Sequence, residues 1–129
     1  MVPSRSVTLG FYVFVAVVAL LATWSQNLAY FGGPDAAEVF AKFALDTRVN
    51  AASRSITVDI GLFFLAATPF MIHEGRRVGV RFPWLYVLFG MLVAISVTFP
   101  LFMAARERRL AAREASGETA EGGVTTLDR

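Results

Sequence analysis

Asp59 is the one ionisable residue that lies clearly inside an apolar stretch of this sequence. It stands between Val58 and Ile60, and Gly61-Leu-Phe-Phe-Leu65 follows. A charge near the centre of a bilayer costs about 2.5–3.5 kcal/mol, and less toward the surface, so this carboxylate needs water, a cation or a hydrogen-bond donor. Two interpretations stay open. Asp59 is hydrated near the surface or paired with Arg54, or it forms a proton, ion or polar-ligand site.

The pair His73-Glu74 begins like the H-E-x-x-H zinc site of metalloproteases. Position 77 is an arginine and the chain has a single histidine, so the second zinc ligand is missing and this chemistry is rejected. The lack of cysteine likewise excludes thiolate metal sites and disulfides. We interpret His73, Glu74, Arg76 and Arg77 as a charged interfacial turn.

No other combination of residues in the sequence predicts catalysis. No pair of nucleophile and base, no set of metal ligands and no phosphate-binding loop can be assembled from it. We therefore expect no enzyme, no catalytic residue, no metal and no cofactor. The lysines and arginines lie at the ends of apolar stretches rather than in a basic groove with aromatic residues, so nucleic acid is not an expected partner.

Three long apolar stretches surround these polar residues. Hydrophobic residues make up 56% of the chain and the mean hydropathy is +0.57. A helix needs about 20 mostly apolar residues to cross a bilayer. The sequence therefore predicts an all-α membrane protein with three transmembrane helices, at about Val7–Asn27, Ser53–His73 and Trp84–Met103.

A short amphipathic helix is predicted between the first two spans. It follows the breaker Gly32-Gly33-Pro34-Asp35, and its apolar residues recur at three- and four-residue spacing from Ala36 to Phe43. The segment is too short and too charged to cross a bilayer, so we expect it to lie in the interface. A solvated helix packed on the protein is the alternative.

The two termini receive separate interpretations. The first apolar run is longer than that of a secretory signal and no small-x-small cleavage site closes it, so we expect it to be retained as an anchor. After the third span, a polar helix at Arg106–Arg109 leads into a tail rich in glycine and glutamate. We predict a membrane domain at residues 1–115 and a disordered tail at residues 116–129.

Three antiparallel spans would bring the end of the first, the start of the second and the end of the third to one side of the membrane. The sequence then predicts a shallow polar pocket there, because buried polar groups need partners. Its candidate residues are Gln26, Asn27, Asn50, Arg54, Asp59 and Arg106. Alternatively, half of these side chains face lipid headgroups.

Small residues at four-residue steps in the third span predict helix-to-helix packing. They are Gly90, Ala94 and Thr98. This pattern favours an interaction or accessory subunit, or a small homo-oligomer, whose partners are the lipid bilayer and other membrane helices. The alternative function is an oligomeric ion- or proton-linked transporter or channel with Asp59 in a polar site inside the membrane.

The order and spacing of several residues resemble a known family. They are Asn50, Asp59, Glu74-Gly-Arg-Arg77, Trp84, Pro100-Leu-Phe102 and Arg106-Glu107. From Val7 to Arg108 the chain resembles the bacterial family of small membrane proteins labelled domain of unknown function 2834. The resemblance implies a multi-pass protein of the bacterial inner membrane and supplies no reaction. It directs attention to the charged residues Asp59, Glu74, Arg76, Arg77, Arg106 and Glu107.

The positive charges give conflicting indications of orientation. With three spans, Arg5, Arg76, Arg77 and Arg81 fall on one side of the membrane. Seven residues fall on the other: Lys42, Arg48, Arg54, Arg106, Arg108, Arg109 and Arg113. The count favours a cytoplasmic C-terminus, whereas the first span alone favours a cytoplasmic N-terminus. We expect the former, with dual insertion as an open alternative.

Overall fold

The computed structural model describes residues 4–30 and 35–124, with side chains as far as residue 117. Its helices in chain order are α1 (Arg5–Asn27), α2 (Ala36–Asp46), α3 (Ala51–Val78), α4 (Pro83–Leu92) and α5 (Ile95–Val124). A 3-10 turn at Leu28–Tyr30 extends α1. Since the described residues contain no strand, the all-α class is confirmed.

Two of the described helical segments are long and apolar enough to cross a membrane. They are Arg5–Tyr30 and Ala51–Val78, with mean hydropathies of 2.2 and 1.8, and they coincide with the first two predicted spans. Only 6% and 11% of their most apolar windows are buried within the chain. The core helix of a soluble protein would be mostly buried, whereas most of the apolar surface of both segments is exposed.

The third predicted span, Trp84–Met103, is wrong as a single helix, because the chain folds into a hairpin there. The backbone leaves α4, turns at Val93 and Ala94, and enters α5. The rings of Tyr86 and Phe102 lie 5.8 Å apart. Sixteen residues of continuous helix would separate them by about 24 Å. α5 therefore runs back beside α4.

The small residues of this stretch allow the two arms to approach closely. A Cβ on Gly90 would lie 2.8 Å from Thr98 Oγ1 and 3.3 Å from Ile95 Cδ1. Gly90 and Thr98 are equally far from Ala94 in sequence, so folding back at Ala94 places them opposite each other. The predicted packing face of Gly90, Ala94 and Thr98 is thus corrected: two members face each other inside the chain and the third forms the turn.

α5 is the helix around which α1, α3 and α4 pack. It contacts α1, α3 and α4, whereas α1 and α3 share no extensive contact in the described part of the chain. The ring of Phe63 meets that of Phe99 edge to face, and Phe70 meets Phe102 in the same way, so α3 and α5 run in the same direction. Phe102 is fully buried and, with residues of α3 and the α3–α4 turn, forms the small apolar core.

The predicted amphipathic helix is present as α2. Asp35 caps its start, because the side chain accepts a hydrogen bond from the Ala37 N–H at 3.2 Å. Asp46, the last residue of α2, accepts hydrogen bonds from the Tyr30 hydroxyl and the Lys42 ammonium, each at 3.0 Å. The Tyr30 bond fastens α2 to the turn that extends α1. Both bonds hold the pKa of Asp46 below its ordinary value, the Lys42 bond more strongly.

At the C-terminus, α5 continues to Val124. The backbone therefore stays helical past residue 116, where the tail was predicted to begin. Residues 125–129 of that predicted tail lie outside the described residues.

Candidate functional site

Glu74 is the centre of a charged cluster that joins α3 to α5. It is only 7% exposed. Its two carboxylate oxygens accept hydrogen bonds from Arg77 Nε and Nη2 at 2.6 and 2.8 Å, and from Arg106 Nε at 2.7 Å. A buried carboxylate is tolerated when charge-assisted hydrogen bonds satisfy its oxygens, and both oxygens are satisfied here.

The cluster continues from α5 to the start of α1. Arg106 Nη1 donates to Glu107 Oε1 at 3.0 Å, and Arg5 Nε lies 3.6 Å from the other Glu107 oxygen. Arg5 also forms a bidentate salt bridge with Glu114, with hydrogen bonds of 2.7 and 2.9 Å. These hydrogen bonds from Arg5 lower the pKa of Glu114. We call these six residues the charged network: Arg5, Glu74, Arg77, Arg106, Glu107 and Glu114.

The predicted charged turn at His73–Arg77 is wrong in backbone conformation, because these residues are still helical. α3 ends at Val78, and Gly79 follows in the left-handed conformation at φ 86°. The N–H groups of Gly79 and Val80 both donate to the Gly75 carbonyl, as at a glycine-terminated helix end. Glu74 and Arg77 enter the charged network, while the side chains of His73 and Arg76 are exposed.

The structure does not assemble the predicted polar pocket. Arg106 pairs with Glu74, and Glu74 lies 15 residues along α3 from Asp59, a separation of about 22 Å. The hairpin is the physical reason, because it returns α5 to the side of the molecule from which α4 starts. Arg106 therefore lies at the opposite end from the other candidates.

The remaining pocket candidates have separate surroundings. Asn50 caps α3 by accepting a hydrogen bond from the Ser53 N–H at 2.8 Å. The Arg54 guanidinium lies 3.4 Å from the Arg48 carbonyl oxygen. Asp59 is exposed and has no hydrogen bond or ion pair with the described residues. Gln26 is exposed, and Asn27 lines a cavity.

That cavity lies between the end of α1, α2 and the tip of the hairpin, with a volume of about 470 Å³. Its lining is mainly apolar and includes Trp24, Tyr30, Phe40, Phe43 and Met91. The Tyr30 and Phe43 rings meet edge to face with centroids 5.3 Å apart. The apolar face of α2 therefore points toward the hairpin tip across this cavity.

Sequence reasoning missed Arg5 and Glu114 as members of the charged network. Arg77 lies three residues after Glu74, a spacing at which helical side chains meet, so that pair could have been predicted from the sequence. Arg5 and Glu114 are 109 residues apart, and no local spacing links them. The arginines and glutamates of the network neutralise one another. Their ion pairs fix the ends of α1, α3 and α5 relative to one another.

These features define a class of small all-α chain with two apolar helices of span length. A helical hairpin packs against both of them, and a charged network lies at the base of that hairpin. The chain belongs to the family described as protein of unknown function DUF2834, which matches residues 11–108. No curated protein and no solved structure matches the chain. The resemblance drawn from the sequence is confirmed. The matched region contains the charged network except for Arg5 and Glu114.

Proposed function

We propose that the chain is a multi-pass integral membrane protein in which α1 and α3 cross the bilayer. The α4–α5 hairpin enters from one side and returns to it. From Arg106 to the turn at Ala94 the hairpin extends about 18 Å, which is little more than half of a hydrocarbon core of about 30 Å. Non-helical backbone at such a depth is tolerated where it is buried in protein or lines a cavity. The hairpin packs against α3, and its turn borders the cavity beside α2.

The hairpin also supports one membrane orientation. It places α5 on the same side as the start of α1, so eight arginines share that side: Arg5, Arg76, Arg77, Arg81, Arg106, Arg108, Arg109 and Arg113. Lys42, Arg48 and Arg54 lie on the other. Cytoplasmic segments carry the excess of positive charge, so we propose that α1 begins, and α5 ends, in the cytoplasm. The conflict between the two indications in the sequence then disappears.

Labelling of single cysteines tests this topology without background, because the chain has no cysteine of its own. We expect a membrane-impermeant maleimide to label Val49→Cys in intact cells, since Val49 is 71% exposed between α2 and α3. Ser4→Cys and Ser116→Cys should react only after permeabilisation. Labelling of Ser116→Cys in intact cells, with Ser4→Cys protected, would restore three full spans and refute the hairpin topology.

Within the membrane, we propose that the protein is a non-enzymatic interaction or accessory subunit that assembles with other membrane helices. The observation that carries this proposal is the exposed apolar surface of the first half of α3. Val58, Ile60, Leu62 and Leu65 are all at least half exposed. A Cβ on Gly61 would have no atom within 4 Å. The hairpin packs on Phe63 and Phe64 but leaves these residues of α3 uncovered.

The same half-helix has the features of an association surface. Ser53, Thr57 and Gly61 recur at four-residue steps, and small residues at that spacing let two membrane helices approach closely. Asp59, which lacks an internal partner, requires a hydrogen-bond donor or a cation if it enters the bilayer. A second helix packed on this stripe would cover the glycine. Asp59 lies two residues before Gly61 and points to the opposite side of α3, so its partner would come from a separate contact.

The experiment that tests this role compares Gly61→Leu with Gly10→Leu. Both glycines have open space around them, so neither leucine disturbs the fold of the single chain. We expect Gly61→Leu to remove most of the assembled species, as seen by native electrophoresis after mild detergent extraction. Gly10→Leu, on α1, should retain it, and neither variant should melt below the wild type. Assembly unchanged in Gly61→Leu would show that this face of α3 contacts lipid and would refute the role.

Transport remains the second candidate because Asp59 is exposed on a span without an internal partner. It requires several chains, since one chain does not form the polar pocket around Asp59. Transport and assembly therefore share the dependence on Gly61. Only transport predicts a proton or cation flux in proteoliposomes that Asp59→Asn abolishes while assembly persists.

A further inference from the structure

At the end of the molecule that carries the charged network, positive charge exceeds what the described carboxylates neutralise. The described carboxylates there are Glu74, Glu107 and Glu114, and each is bound to Arg5, Arg77 or Arg106. Five further arginines at this end have no carboxylate partner among the described side chains. They are Arg76, Arg81, Arg108, Arg109 and Arg113. The network thus leaves an uncompensated basic surface.

Part of this surface surrounds the turn between α3 and α4. Arg113 Nη2 lies 3.5 Å from the position of a Cβ on Gly79, so α5 brings its guanidinium to the turn. The Arg81 guanidinium lies over the Phe82 ring, 5.6 Å from the centroid. Phe82 and Trp84 are each about half exposed, at 53% and 52%. Exposed aromatic rings beside arginines are typical of the headgroup level of a membrane.

We propose that this basic surface binds the phosphates of anionic phospholipid headgroups, an inference that rests on the proposed membrane location. Guanidinium groups bind phosphate oxygens through paired hydrogen bonds, and the surface offers several in the plane where lipid phosphates lie. The opposite end has only Lys42, Arg48 and Arg54, of which Lys42 is paired with Asp46. The lipid preference therefore belongs to one end of the molecule.

The two tryptophans allow each end to be measured separately. Trp84 lies at the start of α4 beside the basic surface, and Trp24 lies near the opposite end of α1. Full-length Trp24→Phe and Trp84→Phe each retain one emitter. Each is reconstituted into phosphatidylcholine vesicles that contain a small fraction of brominated phosphatidylglycerol or brominated phosphatidylcholine, and quenching of tryptophan emission is recorded. Bromine quenches at short range, so the ratio of the two signals reports which lipid is adjacent.

We expect phosphatidylglycerol to quench Trp84 with an apparent preference of about fivefold or more over phosphatidylcholine, since one cation near an anionic surface already supplies about that factor. Trp24 should show no preference. The preference should fall in high salt. It should fall several-fold when Arg76→Gln, Arg81→Gln and Arg113→Gln are combined, and it should be unchanged in the matched set Lys42→Gln, Arg48→Gln and Arg54→Gln.

The outcomes separate the two proposals. Absence of quenching by either lipid at both tryptophans would refute the membrane location itself. Equal quenching of Trp84 by both lipids would refute the lipid site and leave the membrane location standing. Loss of the preference on addition of inorganic phosphate at constant ionic strength would assign the arginines to free phosphate instead of lipid and would also overturn the proposal.

Discussion

Gly75→Ala is expected to destabilise the chain, whereas Gly61→Ala is not, although both place an alanine in α3. A Cβ on Gly75 would lie 2.6 Å from Pro83 Cβ and 3.1 Å from Phe102 Cε2. Pro83 is a rigid ring at the start of α4 and Phe102 is fully buried, so neither can move without shifting the hairpin. Overpacking of this kind costs about 1–3 kcal/mol.

The matched substitution isolates the clash from the change in helix propensity. Alanine favours a helix over glycine by up to about 1 kcal/mol at either position. At Gly61 this gain is unopposed, because no atom lies within 4 Å of the new methyl group. Thermal unfolding of detergent-solubilised protein should therefore give a lower midpoint for Gly75→Ala and an unchanged or higher one for Gly61→Ala. Equal midpoints would mean that α3 and α4 do not meet at Gly75.

The helices with strong local patterns were predictable from the sequence. The first span was predicted to end at Asn27, where α1 ends, and the Gly-Pro-Asp breaker located the start of α2. Such features depend on neighbouring residues, because caps, breakers and apolar periodicity act within a few residues. α3 continues five residues beyond His73, the predicted end of the second span. The charged residues after it stay helical until Gly79.

The hairpin was not predictable from apolar composition. A run of about twenty apolar residues has the same mean hydropathy whether it forms one span or two short arms. The distinguishing feature is the contact of Gly90 with Thr98 across Ala94, and the same residues at four-residue steps also fit one face of a single helix. Tertiary packing decides between these alternatives.

The error in the polar pocket follows from the hairpin. Each crossing of a membrane exchanges the sides on which later residues lie, so replacing a crossing by a hairpin transfers Arg106 and everything after it. Arg106 was placed in this pocket, but its partner is Glu74 and not Asp59. Of the proposed pocket, the local role of Asn50 as a helix cap was the part that local sequence chemistry could have identified.

Glu74→Gln is expected to lower the melting temperature by several degrees, the largest change for any single carboxylate of the charged network. Glutamine keeps the shape but loses the negative charge and one acceptor oxygen. Arg106, whose side chain is 23% exposed, then keeps only Glu107 as a counter-charge. Removing one of the two counter-charges of a partly buried cation destabilises the folded chain by more than the lost hydrogen bond alone.

Glu114→Gln is the control, because it removes a carboxylate from the same network where the side chain is 65% exposed. Exposed ion pairs contribute little, so its midpoint should stay close to that of the wild type. Combining Glu74→Gln with Arg106→Gln should recover part of the loss, since both charges of the pair are then removed. Equal effects of Glu74→Gln and Glu114→Gln would contradict this role of Glu74. Such a result would mean that Glu74 is stabilised by hydration, and that its contact with Arg106 contributes little to the stability of the fold.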